Sequence, residues 1–298
     1  MTPAAAGGPP LIWRCRDRVF DLTDRTLVMG VVNLTPDSFS DGGRFLEPGA
    51  AIAQARRLLA EGADLLDLGA ESTRPGAAPV PAAEQVRRLE PVLRALVSGA
   101  DPCLSVDTAS AEVAARALEL GARVVNDVSA LRDPTMAGVV ARSGAGLVLM
   151  HMRGDPATMQ QDPRYEDVAR EVRDHLAHRL EAATRAGVAA ECVALDPGIG
   201  FGKTVRHNFE LLARLGELGA PGRPVLVGVS RKSFIGRTLD LPVDQRLEGG
   251  LAAAAVAVFL GARVVRTHDV AATVRAVRVA DGLRAARRAP AQPSEDAT

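Results

Sequence analysis

The segment 103–128, CLSVDTASAEVAARALELGARVVNDV, contains one complete unit of the pattern that decides the fold of this chain. It begins with a short apolar run, CLSV, passes through a polar turn into an amphipathic stretch at 110–120, and ends in a second apolar run, VVNDV. Near-continuous apolar runs that alternate with helical stretches are typical of buried parallel strands joined by right-handed crossovers. The segment therefore predicts a strand, a helix and a second, parallel strand.

The same unit recurs along most of the chain. The apolar runs are 27–32, 65–69, 103–106, 124–128, 146–150, 192–195, 224–229 and 263–267. The helical stretches that follow them are 49–61, 81–97, 110–120, 134–143, 165–186, 206–218, 244–260 and 270–285. Eight such units in about 250 residues predict an α/β fold, namely a (β/α)8 TIM barrel. The alternative is a doubly wound open sheet, which more often has five to seven strands and a glycine-rich first turn.

The remaining segments set the domain boundaries. Residues 11–22, LIWRCRDRVFDL, predict an N-terminal β-hairpin that plugs the bottom of the barrel. Residues 1–10 and 286–298 are rich in proline, alanine and polar residues, a composition typical of disordered tails. We therefore expect one barrel domain over residues 11–285.

Composition excludes several classes of function. The 298 residues carry 36 basic and 36 acidic side chains, and only 3% are aromatic, so the chain lacks the basic surface and stacking residues of a nucleic-acid binder. Its three cysteines form no CxxC pair, and no apolar run approaches the roughly 20 residues of a membrane span. The first residues, MTPAAAGGPP, do not resemble a secretion signal. These features predict a soluble, cytoplasmic protein that binds neither nucleic acid nor membranes.

Polar residues follow nearly every predicted strand, at the end of a barrel where chemistry occurs. They are Asn33, Asp37, Asp67, Glu71, Asp107, Asn126, Asp127, His151, Asp196, Ser230, Arg231, Lys232, Arg266 and His268. Helix capping explains other polar residues, such as Ser110, Asp133 and Asp162. It does not explain Asp107, Asn126, Asp196 and Lys232, which we call the cup and expect to point towards one another. Such converging amide, carboxylate and ammonium groups suit a flat heterocycle with donors and acceptors on its edge.

Two long loops add a second indication. Residues 33–44 and 71–80 are long for connections of this kind and are rich in Gly, Pro, Ser and Thr, as lids over a barrel mouth often are. They carry groups suited to phosphate, namely Ser38, Ser40, Arg44, Ser72, Thr73 and Arg74. Arg266 and His268 on the last strand are expected to face them. Taken singly, either loop could be a solvated surface loop.

Two other sequence features give weaker indications of function. The glycine-rich segment 198–204, GIGFGKT, lacks the first glycine of a phosphate-binding P-loop and the G-x-G-x-x-G spacing, so we expect only a flexible loop after Asp196. The histidines form no metal-binding pattern, because His175 and His178 lie on a helix that the sequence predicts to be exposed. The end of a strand favours a core position for His151 over the alternative of a catalytic role.

Eight collinear blocks closely resemble the dihydropteroate synthase family, over about residues 11–285. The blocks are MGVVNLTPDSFSDGG (29–43), ADLLDLGAESTRPG (63–76), SVDT (105–108), VVNDVSA (124–130), LMHMRG (149–154), LDPGIGFGKT (195–204), VGVSRKSFIG (227–236) and RTHD (266–269). Any one block could occur by chance, whereas eight in the family's order are highly specific. The chain departs from the family's usual residues at three places. Ala70 and Thr267 are conservative in size, and 248–250 lie in the helix after the seventh strand, away from the expected phosphate pocket.

The resemblance implies a transferase that joins p-aminobenzoate to 6-hydroxymethyl-7,8-dihydropterin diphosphate and releases pyrophosphate. It implies that the cup reads the pterin edge, and that Arg266 and His268 bind the β-phosphate beside an Mg²⁺ ion held by Asn33. Thr73 and Arg74 then belong to a mobile loop over the substrate. The resemblance further implies that the p-aminobenzoate end is formed by Phe201, Lys232 and Ser233, where a helix N-terminus can receive a carboxylate. The family also implies a homodimer.

This chemistry assigns catalytic roles to four residues. Cleavage of the C–O bond leaves positive charge on the pterin methylene and negative charge on pyrophosphate, so donors are needed at the leaving group. Asp107, Lys232, Arg266 and His268 are therefore the predicted catalytic residues. Two alternatives remain: a non-catalytic pterin-binding homologue, and a methyltetrahydrofolate-binding methyltransferase barrel, which needs no pyrophosphate site.

Overall fold

Eight parallel strands form the barrel. In the computed structural model, an N-terminal pair, β1 (Ile12–Cys15) and β2 (Arg18–Asp21), precedes them. The barrel strands are β3 (Leu27–Asn33), β4 (Leu65–Gly69), β5 (Cys103–Asp107), β6 (Val124–Asp127), β7 (Gly146–Met150), β8 (Val193–Asp196), β9 (Leu226–Gly228) and β10 (Val264–Thr267). Their order is β8-β7-β6-β5-β4-β3-β10-β9, and the Leu195 amide closes the circle by donating to the Pro224 carbonyl at 2.9 Å. The predicted (β/α)8 barrel is confirmed.

The structure describes residues 10–35, 48–72, 78–99, 101–156, 158–219 and 222–288. Residues 36–44 of the first predicted lid loop and residues 73–77 of the second lie outside these residues. The predicted site residues among them are Asp37, Ser38, Ser40, Arg44, Thr73 and Arg74. The predicted disordered tails also lie outside the described residues, except for Pro10 and residues 286–288, the last of which continue the final helix.

Helices cover the outside of the barrel. They are α1 (Pro48–Ala60), α2 (Ala82–Val97), α3 (Ala111–Glu119), α4 (Met136–Ser143), α5 (Val168–Arg185), α6 (Val205–Ala213), α7 (Ser233–Leu239), α8 (Leu247–Leu260) and α9 (Val270–Arg288). The helical periodicity predicted all of these except α7, which has only seven residues, too few for an amphipathic repeat to be recognised. No helix in the described part of the chain is long and apolar enough to cross a membrane.

Alternate residues of each strand face opposite sides, which divides the core into two parts. Leu66, Leu68, Leu104 and Val106 belong to the large cluster between the sheet and the helices. A smaller cluster at the N-terminal end of the barrel contains residues from the hairpin and from the first inward positions of the strands: Trp13, Cys15, Leu22, Leu27, Met29, Leu65, Cys103, Val124, Val148, Ala194, Leu226 and Val264.

The hairpin closes this N-terminal end, as predicted. Trp13 is fully buried, and its indole nitrogen donates to the Cys192 carbonyl at 2.9 Å. Beside the hairpin, the Arg123 guanidinium pairs with Asp17 at 2.7 Å and with Asp101 at 2.8 Å. The bottom of the barrel is therefore filled by apolar side chains and sealed by ion pairs, so that chemistry is confined to the opposite end.

We predict that Trp13→Ala lowers the free energy of unfolding by about 3–5 kcal/mol, because it removes a fully buried aromatic side chain and its hydrogen bond. Urea denaturation followed by far-UV circular dichroism measures this loss. Val19→Ala on the same hairpin is the matched control: Val19 is 58% exposed, and its substitution should cost no more than about 0.5 kcal/mol. Equal losses in the two variants would show that the hairpin does not seal the barrel.

Candidate functional site

The strand register brings the predicted site residues to one end of the barrel. Asp107 at the end of β5 is level with Asn126 on β6, and on its other side with Gly69 at the end of β4. Asp196 at the end of β8 is level with Met150 at the end of β7. Because the strands are parallel, their carboxyl ends meet at one rim, as in other barrels. Asp107, Asn126 and Asp196 are all buried there.

Arg266 crosses the interior of the barrel to reach two carboxylates. From β10, its Nε donates to Asp67 Oδ2 at 2.6 Å and its Nη2 donates to Asp107 Oδ2 at 2.9 Å. Asp67 and Asp107 lie on β4 and β5, neither of which is a neighbour of β10 in the sheet. Nη1 makes no hydrogen bond to any described residue, so one edge of the guanidinium remains available to a ligand.

Asp67 is the centre of this network, a role that sequence reasoning missed. The carboxylate is fully buried, and its Oδ2 also accepts from Asn126 Nδ2 at 3.0 Å. In the sequence, Asp67 is one of many polar residues near the end of a strand. Nothing in the local pattern LLDLG shows whether its side chain orients other residues or binds a ligand itself. A carboxylate in the middle of an apolar run was the one available signal, because buried charges are normally paired.

Asn33 lies beside Asp107 at the rim. A Cβ atom added to Gly69 would lie 3.7 Å from Asn33 Oδ1 and 3.8 Å from Asp107 Cβ, so the two side chains flank the same glycine. The Asn33 amide oxygen is a ligand that Mg²⁺ accepts. The described residues contain no cluster of three His, Cys, Asp or Glu that could hold a metal ion. The chemistry of the Asn33 amide oxygen therefore fits one ligand position of such an ion.

The glycine-rich segment is held more firmly than its composition predicted. Its Lys203 is buried, and its ammonium lies 3.0 Å from each of three acceptors, namely the Gly198 and Phe201 carbonyls and His151 Nδ1. Gly198, Gly200 and Gly202 all have positive φ, which side-chain-bearing residues rarely adopt. The sequence predicted a flexible loop here, whereas the structure shows a segment held below the rim by hydrogen bonds from a buried lysine.

Burial explains the state of the neighbouring histidines. His151 is buried, as predicted, and burial next to Lys203 lowers its pKa to about 2, so its neutral ring accepts a hydrogen bond from Lys203. His175, which was expected to be exposed, is half-buried with its ring 4.9 Å from that of His151 in an edge-on contact. The helix that carries it turns this face inwards, which the sequence did not reveal.

Lys232, Phe201 and Ser233 lie together at the opening. The Lys232 ammonium stands 3.9 Å from the centre of the Phe201 ring, a cation–π contact. Lys232 occupies the N-cap position of α7, and Ser233 is the first residue of that helix and is exposed. A ligand that enters the cup meets an aromatic face and a cation on this side.

His268 is held by a serine of the adjacent strand end. Its Nδ1 lies 3.1 Å from Ser230 Oγ, and its backbone amide donates to the same oxygen. Burial, reinforced by the charge of Arg266, lowers the pKa of His268 to about 4. The ring is therefore neutral at pH 7, and a ligand meets it as a hydrogen-bonding group without charge.

The charged groups of the cup titrate close to neutrality. Burial raises the pKa of Asp107 to about 7, against the opposing effect of Arg266, and raises that of Asp196 to about 6, against the Gly198 amide and Lys232. Burial followed by repulsion from Arg266 lowers the pKa of Lys232 to about 8. Groups shifted in this way at one rim are characteristic of functional sites.

Comparison with known proteins agrees with this geometry. Residues 29–268 match the family of pterin binding enzymes. The Escherichia coli K12 dihydropteroate synthase is 43% identical over 87% of this chain and 92% of its own length. Two Xanthomonas albilineans dihydropteroate synthase structures are similar over 95% of this chain and 100% of their own. The one with 4-aminobenzoic acid has 45% identity and a TM-score of 0.86, and the one with 7,8-dihydropteroate has 43% identity and a TM-score of 0.82.

Proposed function

The chain belongs to the dihydropteroate synthase family of pterin-binding enzymes, and on that premise we propose which of its residues carry each part of the reaction. It is a transferase of folate biosynthesis that condenses 6-hydroxymethyl-7,8-dihydropterin diphosphate with p-aminobenzoate, giving 7,8-dihydropteroate and pyrophosphate. The observation that supports the assignment best is the buried network in which Arg266 bridges Asp67 and Asp107 beside Asn126.

Asp107, Asn126, Asp196 and Lys232 are assigned to the edge of the pterin. They offer carboxylate, amide and ammonium groups at one rim, and the three on the strands are at least nine-tenths buried. A heterocycle that displaces water from them gains hydrogen bonds in a setting of low dielectric constant, where these bonds are strong. Arg266 limits the charge that a substrate encounters, because it partly neutralises Asp107.

Arg266, His268 and Asn33 are assigned to the diphosphate. The free edge of the Arg266 guanidinium provides charge, and the neutral His268 ring provides a hydrogen bond. We propose that Asn33 contributes one oxygen to an Mg²⁺ ion that arrives with the diphosphate. When bound, this ion would neutralise charge on the leaving pyrophosphate.

Phe201, Lys232 and Ser233 are assigned to p-aminobenzoate. The Phe201 ring offers a flat apolar surface for the benzene ring, and Lys232 above it offers charge to the carboxylate. Lys232 therefore serves both substrates from the position where they must meet. The assignment of Thr73 and Arg74 to the mobile loop over the substrates remains a prediction.

The arrangement explains how bond cleavage is supported. As the C–O bond breaks, Arg266 stabilises the negative charge on the departing oxygens, and the carboxylates of Asp107 and Asp196 stabilise the positive charge on the pterin methylene. The arylamine is already a nucleophile, so no strong general base is required. A merely pterin-binding homologue or a methyltransferase barrel would not need a guanidinium with a free edge at this place.

A pyrophosphate-release assay tests the function directly. The purified chain should release pyrophosphate from the pterin diphosphate rapidly only when p-aminobenzoate and Mg²⁺ are both present, since the first captures the cation and the second neutralises the leaving group. Lys232→Ala should lower the rate at least about 100-fold, as loss of a group that stabilises the transition state commonly does. Arg206→Ala, an exposed arginine on α6, should retain the full rate. Release that is independent of p-aminobenzoate would contradict the synthase function.

The rate should depend on pH in a bell shape. Ionised Asp107 is required, so kcat/KM, which reports the groups of the free enzyme, should rise as the pH increases through about 7 and fall above about 8 as Lys232 loses its proton. Lys232→Arg is the diagnostic variant, because arginine stays protonated and should remove the alkaline limb from whatever activity persists. An alkaline limb that persists near pH 8 in that variant would exclude Lys232 as its source.

We further propose that the enzyme is a cytoplasmic homodimer whose contact is formed by α8 and α9. These helices pack on one another and expose Val256, Val279 and Leu283, each more than half accessible. Exposed apolar patches of this kind commonly mark protein–protein interfaces.

The dimer has its own test. Sedimentation should give the mass of two chains, and Val279→Lys with Leu283→Lys should give the mass of one, because lysines at an apolar contact must be desolvated. Val19→Lys on the hairpin, which is equally exposed, should remain a dimer. A wild-type mass of one chain would refute the proposal.

A further inference from the structure

Asp67 has no place among the substrate-binding groups, yet two of them depend on it. Its Oδ2 accepts hydrogen bonds from both Arg266 Nε and Asn126 Nδ2, whereas the structure shows no hydrogen bond between Arg266 and Asn126 themselves. These two residues lie on β10 and β6, which three strands separate along the barrel. One carboxylate oxygen on β4 therefore links the diphosphate-binding residue to a pterin-reading residue across the interior.

We propose that Asp67 is a positioning residue that fixes the orientation of the Asn126 amide and of the Arg266 guanidinium together. The inference rests on the proposed function and assigns it a residue that does not touch the substrates.

Asp67 fixes the orientation of the Asn126 amide. An ionised carboxylate can only accept hydrogen bonds, so Asn126 must turn its NH₂ group towards Asp67. Asn126 Oδ1 then points away from Asp67, and this buried oxygen makes no hydrogen bond to any described residue. It is available to accept from an N–H of the heterocycle. Asp67 thus decides whether the cup presents an acceptor or a donor at this position, which is a determinant of specificity.

The guanidinium is fixed by the same atom. Arg266 donates from Nε to Asp67 and from Nη2 to Asp107. The edge of the guanidinium that contains Nη1 is then left for the diphosphate. A guanidinium is planar, so two such bonds determine the direction of its remaining N–H groups. Without Asp67, Arg266 could rotate towards Asp107 alone and direct its free edge away from the phosphates.

The energetic cost of burying Asp67 also indicates that this side chain does more than fill space. The side chain is fully buried, and its Oδ1 has no hydrogen-bond partner in the structure. A buried charge with an unsatisfied oxygen is destabilising compared with an apolar side chain of similar size. In return, Asp67 Oδ2 accepts the two hydrogen bonds that orient Asn126 and Arg266.

The test compares Asp67→Asn with Ser105→Ala. Asp67→Asn keeps the shape of the side chain but removes its charge, so the amides at positions 67 and 126 can both flip. Ser105→Ala alters a neighbouring inward side chain, level with Asp67, whose hydroxyl makes no hydrogen bond to any described residue. Calorimetry on the full chain, with 6-hydroxymethylpterin and with pyrophosphate plus Mg²⁺ as separate probes, measures each subsite without turnover. Asp67→Asn should weaken both probes at least about 10-fold and Ser105→Ala neither; kcat/KM should fall about 100-fold in Asp67→Asn only.

A second measurement leaves Asp67 unchanged, in case Asp67→Asn does not fold. Asn126→Ala and Arg266→Lys are combined, and binding of the two probes is measured in each single variant and in the double variant. Asn126 and Arg266 share Asp67 as a partner, although they make no hydrogen bond to each other. The change in Kd in the double variant should therefore differ by more than about threefold from the product of the changes in the two single variants.

Two results would overturn the proposal. One is Asp67→Asn that folds and binds both probes like wild type. The other is strictly multiplicative effects of Asn126→Ala and Arg266→Lys. Failure of the proposed function would give a different result from failure of this inference. The wild-type protein would then bind both probes but would release no pyrophosphate in response to p-aminobenzoate.

Discussion

The site depends on a buried guanidinium shared between two carboxylates. Arg266 reaches Asp67 and Asp107 through the interior of the barrel, where neither acid could remain ionised alone without a large desolvation penalty. Their separation around the barrel means that only a closed sheet can bring the three together. The charged groups of the site can therefore pair only when the barrel is closed. Their arrangement then determines which edge of a ligand can be bound.

Polarity is distributed along the barrel axis in a way that supports this network. The N-terminal end is filled by Trp13 and an apolar layer, so it needs no water and contributes no ligands. The C-terminal end carries the carboxylates, the amide and the cations. With few aromatic residues in the chain, Phe201 beneath Lys232 provides a stacking surface in the site, and most recognition is left to hydrogen bonds at the substrate's edge.

The two lysines of this arginine-rich chain have different functions in the same region. Lys203 is buried with three acceptors and holds the segment that carries Phe201, while Lys232 stands over the Phe201 ring at the opening. Burial lowers the pKa of Lys203 to about 7 and that of Lys232 to about 8. An arginine could not replace Lys203 without more space, because its planar fork does not match three acceptors around one nitrogen.

Much of this protein could be predicted from its sequence, because the determining signals are local. The alternation of apolar runs and helices specified eight strands and a closed barrel, and polar residues directly after strands specified the rim that contains Asp107, Asn126 and Asp196. The seven-residue α7 was missed because it is shorter than the repeat that reveals helices. Only the tertiary structure decided that Asp67 anchors Asn126 and Arg266, that Lys203 fastens its loop and that His268 is neutral. These properties arise from contacts between distant strands and from desolvation, and neither leaves a mark in the local sequence.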